Sequence, residues 1–179
     1  MTTPPDQPDD RSTAQPADRP PRAVRITPEQ ARPIRHAVLR PGQPSERLIY
    51  PSDDDPRSVH LGVFAADGTL IAVASFYQEP VPGTQHPATR LRGMATLPEH
   101  RGRGCGRQLI AAALETVPDA HGVPTPTLWC NARISAAAYY EKLGFTKLGE
   151  IFDIPDIGPH AVMVLDAGPT TPAAAPRTR

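Results

Sequence analysis

The segment "MATLPEHRGRGCGRQLI", residues 94–110, decides the fold, because it places three glycines between a strand pattern and a helix pattern. Gly102, Gly104 and Gly106 alternate with arginines and a cysteine just before the helix pattern begins. A helix N-terminus leaves N–H groups unpaired and carries a partial positive charge. Glycine lets a ligand approach that backbone closely, and arginine adds paired donors. The segment therefore predicts a binding site for an anionic group such as a phosphate.

Two common nucleotide-binding loops do not match this segment. A P-loop ends in Gly-Lys-Ser/Thr, whereas the chain has Gly106-Arg107-Gln108. A Rossmann loop has G-x-G-x-x-G spacing after the first strand, whereas these glycines are two residues apart in the middle of the chain. A glycine-rich turn with solvated arginines remains the alternative.

Hydrophobic patterns on either side of the segment predict alternating strands and helices. We expect a short strand at 23–27, a helix at 28–40, a hairpin at 59–77, a strand at 89–96, a helix at 106–117, a buried strand at 127–131, a helix at 135–143, and closing strands at 145–152 and 160–166. This β-α-β-β-β-α-β-α-β-β order predicts an α/β fold, in which helices pack on a mixed sheet.

Capping residues support two of the helices. Thr27 is expected to cap the first helix, with Pro28 at its first position and Gln30 completing a capping box. Ser135 is expected to cap the last helix, and Gly144 to end it.

Composition predicts one ordinary domain. The chain has 179 residues, of which 39% are hydrophobic, and its formal net charge is zero. Proline, alanine, threonine and charged residues make up most of both ends, so we expect disordered tails at 1–22 and 167–179 around a domain at 23–166. The neutral charge and few aromatic residues disfavour nucleic-acid binding.

Several features favour a soluble, reduced, cytoplasmic protein. No apolar run is long enough for a membrane span, and the N-terminal stretch has no secretory pattern. Cys105 and Cys130 are too few for a disulfide framework and lack zinc-ligand spacing. We expect no metal.

Two motifs together resemble those of the GNAT superfamily of acyl-CoA-dependent N-acyltransferases. "R-x-x-G-x-G", with Arg101, Gly104 and Gly106, is similar to the superfamily's pyrophosphate loop. "SAAAYYEKLGF", residues 135–145, resembles its second signature. The resemblance covers about 23–166, and it implies a mixed, mostly antiparallel twisted sheet with flanking helices.

The resemblance also implies acetyl-CoA as co-substrate. The strands at 89–96 and 127–131 would splay apart, and the pantetheine arm would pair with the backbone of Met94, Ala95 and Thr96. The pyrophosphate would lie over the loop and the start of its helix, at Arg101, Gly102, Arg103, Gly104, Cys105, Gly106 and Arg107. Asn131 would hydrogen-bond the pantetheine arm, although it lies farther from the tyrosine of the second motif than is usual in the family.

The tyrosine that precedes "EKLGF" is the implied general acid, which is Tyr140. A thiol titrates near ~8.5 and tyrosine near ~10, so a positioned tyrosine can protonate a departing thiolate. Tyr139 lies about 100° away around the helix and is expected to face elsewhere as a packing residue. A packing role for both tyrosines is the alternative.

A general base is less evident from the sequence. Family members often carry a glutamate on the strand at 89–96, where this chain has Arg90 and Arg92. Glu79, His60 and His160 are the candidate substitutes, and bulk water is a fourth. The two arginines either hold an acidic substrate or form a solvated face of the strand.

The sequence thus favours an N-acetyltransferase that modifies a primary amine of a small molecule or peptide. A non-catalytic acyl-CoA-binding module is the alternative. We expect loops 41–58 and 78–88 to shape the amine pocket, and a monomer or homodimer.

Overall fold

The structure, a computed structural model, describes residues 22–44, 49–122 and 126–166. Its strands and helices are β1 (Val24–Arg25), α1 (Pro28–Leu39), β2 (Val59–Phe64), β3 (Leu70–Gln78), β4 (Thr89–Thr96), a 3-10 turn (Pro98–His100), α2 (Cys105–His121), β5 (Thr127–Arg133), α3 (Ile134–Lys142), β6 (Thr146–Ile154) and β7 (Gly158–Asp166). This is the predicted order of elements. Apart from Arg22, the predicted tails lie outside the described residues.

The strands form one sheet in the order β1-β2-β3-β4-β5-β7-β6. Every neighbouring pair is antiparallel except β4 and β5, which run parallel. The predicted mixed, mostly antiparallel sheet with flanking helices is therefore confirmed. None of the helices in the described ranges combines the length and apolar composition needed to cross a bilayer.

Helices cover both faces of the sheet. On one face, Leu109 and Val117 of α2 join the main core cluster, which also holds Phe76 of β3. On the other face, Ala31 and Ile34 of α1 form a smaller cluster with the sheet. The periodic apolar residues of each helix account for this arrangement, because burying them removes one stripe of each helix from water.

The helix ends agree with the sequence at α1 and at the end of α3, where Gly144 follows the C-cap Leu143 with φ +93°, but not at the start of α3. Thr27 and Gln30 form the expected capping box of α1. Ser135 is not a cap, because α3 begins at Ile134, and its N-cap Arg133 makes no side-chain cap hydrogen bond. The reason is that β5 pairs with β7 as far as Arg133 and leads directly into the helix.

The central strands β4 and β5 pair over a short distance only. Their register joins Thr89 to Leu128 and Arg90 to Trp129, and no pairing follows those two positions. The predicted splaying of the two strands is therefore present. The cleft that it opens lies between the C-terminal halves of β4 and β5.

A β-bulge lies on β4 beside this cleft. Ser75 pairs with Arg92 and Val73 with Ala95, so β4 carries one more residue than β3 between these positions. Gly93 lies in the bulge with φ +61°, a conformation that glycine adopts without strain. A Cβ at Gly93 would also come within 2.9 Å of the Arg35 side chain. The bulge therefore requires glycine for two reasons.

Candidate active site

A cavity of about 540 Å³ lies along the glycine loop, and we call it the loop cavity. All but two of the residues predicted to contact the cofactor line it. They are Met94, Ala95, Thr96, Arg101, Gly102, Gly104, Cys105, Gly106 and Arg107. Of the other two, Arg103 lines neither of the cavities described here, and Asn131 lines a second cavity.

The backbone at the loop cavity has the features of an anion site. Gly104 is the N-cap of α2 with φ +78°, and no side chain in the described ranges caps this end of the helix. Gly102 has φ +75°, and a Cβ at either glycine would meet no heavy atom within 4 Å. The N-terminal N–H groups of α2 are therefore open to a ligand that accepts hydrogen bonds.

Several residues of the loop cavity were not predicted from the sequence. His100 lines it and has a buried Nδ1 without a hydrogen-bond partner in the described part of the chain. Lys142 lines it as well, and it belongs to the "YEKLGF" motif that the sequence analysis used only for its tyrosine. No sequence pattern marked His100, since its position at the cavity depends on the conformation of the turn that precedes α2.

A second cavity of about 250 Å³ lies beside β4 and β5, and we call it the strand cavity. Met94, Ala136 and Tyr140 line both cavities, so the two adjoin at these residues. Tyr50 from the predicted loop 41–58 lines the strand cavity, whereas the predicted loop 78–88 contributes no lining residue. Ile154 and Ile157, around the β6–β7 turn, line it without having been predicted.

Tyr140 is half-buried at the junction of the two cavities. Its ring packs edge-on against Phe145, with 5.4 Å between ring centroids. Burial, together with the neighbouring Cys130, raises the pKa of Tyr140 well above its usual value. Burial also raises the pKa of Cys130 to about 12. Both groups are therefore protonated at neutral pH.

Tyr139 does not face away from the site as expected, because it also lines the loop cavity. Its ring centroid lies 6.0 Å from that of Tyr140. A Cβ added at Gly106 would overlap the Tyr139 hydroxyl. The Tyr139 side chain therefore reaches the first turn of α2, and both tyrosines line the loop cavity.

The structure places His60 in a buried hydrogen-bond network rather than at a cavity. Its Nδ1 accepts from the Ser75 hydroxyl at 2.8 Å, and its Nε2 donates to the Asp53 carbonyl at 3.1 Å. Burial lowers the pKa of His60. With both ring nitrogens occupied and neither cavity in contact, this geometry argues against His60 as a general base.

The same network contains a fully buried ion pair between Arg35 and Asp53. Nη1 of Arg35 lies 2.9 Å from an Asp53 carboxylate oxygen, and the Tyr77 hydroxyl donates to that carboxylate at 2.6 Å. Burial alone would raise the pKa of Asp53, but the hydrogen bonds from Arg35 and Tyr77 hold it below its usual value. Asp53 also accepts from the Tyr50 N–H at 3.1 Å, which fixes Tyr50 beside the strand cavity.

Glu79 is engaged elsewhere as well. Its carboxylate lies 2.6 Å from Nη1 of Arg90, and its carbonyl accepts from the Trp129 indole N–H. Glu79 lines neither cavity. Its position argues against direct proton transfer from a substrate at the cavity junction.

His160 is the remaining candidate base, and it lines the strand cavity. Its Nδ1 lies 2.7 Å from the Gly158 carbonyl, which can only accept a hydrogen bond. The proton of the neutral ring is therefore assigned to Nδ1, and Nε2 keeps its lone pair. Within the described residues, Nε2 of His160 has no hydrogen-bond partner.

The fold and this site match a family model. The model described as "Acetyltransferase (GNAT) family" matches residues 26–145. The chain belongs to this family and is an acetyl-CoA-dependent N-acyltransferase. The sequence-based resemblance is thereby confirmed.

Among individual proteins, the chain is similar to the "Uncharacterized N-acetyltransferase YitI" of Bacillus subtilis, with 48% identity over 77% of this chain and 91% of that protein. A solved structure titled histone acetyltransferase HPA2 and related acetyltransferase, from Corynebacterium glutamicum, has a TM-score of 0.62 at 18% identity, covering 84% of this chain and 98% of that one. A variant of spermidine N-acetyltransferase SpeG from Vibrio cholerae has a TM-score of 0.57 at 17% identity, covering 81% and 92%. The two structures establish likeness of fold.

Proposed function

We propose that the protein transfers an acetyl group from acetyl-CoA to a primary amine by direct attack, with Tyr140 as general acid. The observation that carries this proposal is the position of Tyr140 where the loop cavity and the strand cavity adjoin. The loop cavity is the cofactor side and the strand cavity is the amine side. The reacting groups would then meet beside Tyr140.

The residues of the loop cavity suit acetyl-CoA. The open N–H groups at the start of α2, with Arg101 and Arg107 beside them, are expected to bind the pyrophosphate. Asn131 has a buried Oδ1 without a partner among the described residues, which is suited to accept from an amide N–H of the pantetheine arm. When bound, acetyl-CoA supplies a thioester whose sulfur departs as a thiolate.

Tyr140 is suited to protonate that sulfur. Its raised pKa keeps the hydroxyl protonated at neutral pH, so a hydroxyl held at the right position can donate its proton to the sulfur as the C–S bond breaks, and the resulting tyrosinate regains a proton from water before the next turnover. The half-buried ring, held against Phe145, provides that position. His160 is the proposed base that removes a proton from the amine, since it lines the strand cavity and its Nε2 has no hydrogen-bond partner among the described residues.

Replacing Tyr140 by Phe tests the proposal, with Tyr139→Phe as the matched control. Loss of a general acid is expected to lower kcat by about 10²–10⁴-fold while leaving the Kd for acetyl-CoA unchanged. Tyr139 contacts the cofactor side only, so its variant should alter KM for acetyl-CoA more than kcat. Thiol release over a panel of amines measures turnover, and calorimetry measures binding.

A wild-type rate retained in Tyr140→Phe would remove Tyr140 from the mechanism. Binding of acetyl-CoA by the wild type without turnover of any amine would favour the non-catalytic acyl-CoA-binding module.

A further inference from the structure

The strand cavity has an uneven charge distribution. Four arginines line it, namely Arg40, Arg90, Arg92 and Arg133. Within the described ranges, none of its lining residues is an aspartate or a glutamate. A primary amine is protonated in water at neutral pH, so the substrate has a net positive charge unless it also carries an anionic group. A pocket whose charged lining residues are all arginines is therefore a poor match for a simple amine.

Two of these arginines share one face of β4. Arg90 and Arg92 are two residues apart on the strand, so their side chains leave the same side of the sheet. Glu79 neutralises Arg90, which also lies over the Trp129 ring, 4.6 Å from the centroid. Burial lowers the pKa of Arg90, and the positive charge of Arg92 lowers it further. Of these two neighbouring guanidinium groups, Glu79 pairs with that of Arg90 only.

Arg92 is the member of this pair without a counter-charge. It forms no ion pair with any residue that the structure describes. Its guanidinium lies over the Tyr50 ring at 4.8 Å from the centroid, and Arg35 lies at 4.6 Å from the same ring. Asp53 neutralises Arg35 and fixes the backbone of Tyr50. Tyr50 therefore gives Arg92 a fixed platform, which limits the side-chain entropy lost when a ligand binds.

We infer that the amine acceptor carries an anionic group, a carboxylate or a phosphate, and that Arg92 binds this group. A guanidinium held on an aromatic ring presents paired donors that match the oxygens of either anion. The volume of about 250 Å³ lies below the ~300–1,000 Å³ typical of drug-sized ligands, so it suits a small molecule or the end of a larger one. A polyamine would meet the arginines with like charge. The inference rests on the proposed function, because it assigns the strand cavity to the amine.

Matched probe pairs test the inference. Amino acids are each compared with their own carboxamides, and 2-aminoethyl phosphate is compared with 2-aminoethanol. Each pair keeps a primary amine and changes the anion. 1,4-Diaminobutane represents the polyamines. Calorimetry measures binding to the protein–CoA complex, and thiol release from acetyl-CoA measures turnover.

We expect at least one anionic probe to bind about tenfold or more tightly than its neutral partner, and diaminobutane to bind weakly. The carboxylate and phosphate arms show which anion is preferred. Arg92→Gln should remove this preference, and Arg92→Lys should restore part of it. Arg25→Gln, an exposed arginine on β1 at the far edge of the sheet, should keep the preference.

The inference is overturned if no anionic probe binds more tightly than its neutral partner, or if Arg92→Gln keeps the preference. The affinity for CoA separates this failure from a failure of the proposed function. Normal CoA binding with equal turnover of neutral and anionic amines contradicts only the inference. Absence of CoA binding in the wild type contradicts the proposed function.

Discussion

His60 and His160 are each 5% exposed, but their hydrogen bonds give them different chemical capacities. His60 uses one ring nitrogen as acceptor and the other as donor, so it has no lone pair for a substrate. His160 uses only Nδ1 and lines a cavity. The partners of each ring, rather than its burial, therefore decide which histidine can act as a base.

Replacement of His160 by Ala should lower kcat and leave the Kd for acetyl-CoA unchanged, because the proposed base is lost from the amine side only. Removing a general base costs about 10²–10⁴-fold. Free imidazole should restore part of the rate, since it can enter the space that the ring vacates. The measurement is thiol release with and without imidazole.

His36→Ala is the matched control, because His36 is hydrogen-bonded to the Gln43 carbonyl and lines neither cavity. Imidazole should not accelerate it. If His160→Ala folds, binds acetyl-CoA and keeps the wild-type rate, the amine loses its proton by another route.

Residue roles were the least predictable part of the site. The motif identifies Tyr140 in the sequence, but it could not show that Tyr139 reaches the same cavity, since that depends on where α3 packs on the sheet beside the loop cavity. No hydrophobic periodicity predicted the buried hydrogen-bond network of Asp53 and His60, because its members come from a loop, α1 and two strands. Arg35 looks like any polar helix residue until its burial is known.

At the scale of elements, the most informative unit is the turn that joins β4 to α2. Gly104 ends the turn in a left-handed conformation and begins the helix without a side-chain cap. An uncapped helix N-terminus in a cavity favours an external acceptor of hydrogen bonds. We therefore expect the backbone N–H groups of this element, and not its side chains alone, to bind the ligand.

Substitution of Gly104 by Asp should abolish acetyl-CoA binding, because it places a negative charge where the pyrophosphate is expected. Gly68→Asp is the matched control: Gly68 also has positive φ, and its Cβ would likewise have no neighbour within 4 Å, but it lies in the β2–β3 turn. Both variants carry a similar backbone strain of about 1–2 kcal/mol.

Calorimetry with CoA compares the affinity of the Gly104→Asp and Gly68→Asp variants. Equal loss of binding in both variants would point to general destabilisation, and retained binding in Gly104→Asp would reject the loop as the pyrophosphate site.

Hydrophobic periodicity and glycine spacing were sufficient to predict the elements and their order, and β4 has the predicted bounds. The start of α3 was not predictable, because β7 pairing extends β5 through Arg133, and a single strand does not reveal the length of its partner. The bulge at Gly93 was also missed, since a lone glycine in a strand pattern has several explanations.

At the scale of the whole molecule, two buried histidines make stability depend on pH. Burial lowers the pKa of both His60 and His121 below 6.5. The ring of His121, at the end of α2, is hydrogen-bonded to the Thr89 hydroxyl of β4. It also donates to the Arg57 carbonyl, in the loop that precedes β2. Each ring therefore holds elements together in its neutral form.

The free energy of unfolding should fall as the pH is lowered from 7.5 to 5.5. Below about pH 6.5 these histidines take up protons in the unfolded chain, whereas the buried rings of the folded chain resist protonation. The stabilisation that the two neutral rings provide is therefore complete above that pH and is lost as the pH falls through the folded pKa values. Urea unfolding at the two pH values measures the change. The doubly substituted His60→Gln, His121→Gln protein should show a smaller difference, and equal stability of the wild type at both pH values would contradict the expectation.

The splaying of β4 and β5 also makes the stability of the folded protein depend on the concentration of its ligand. Beyond Arg90 and Trp129, the two strands do not pair with each other, and only the folded chain offers this cleft to a ligand. A ligand at a hundred times its Kd would add about 2.7 kcal/mol to the free energy of unfolding. We expect the half-life of the protein against proteolysis to lengthen when acetyl-CoA is plentiful and to shorten when it is scarce. The amount of enzyme in the cell would then follow the concentration of acetyl-CoA without any change in gene expression.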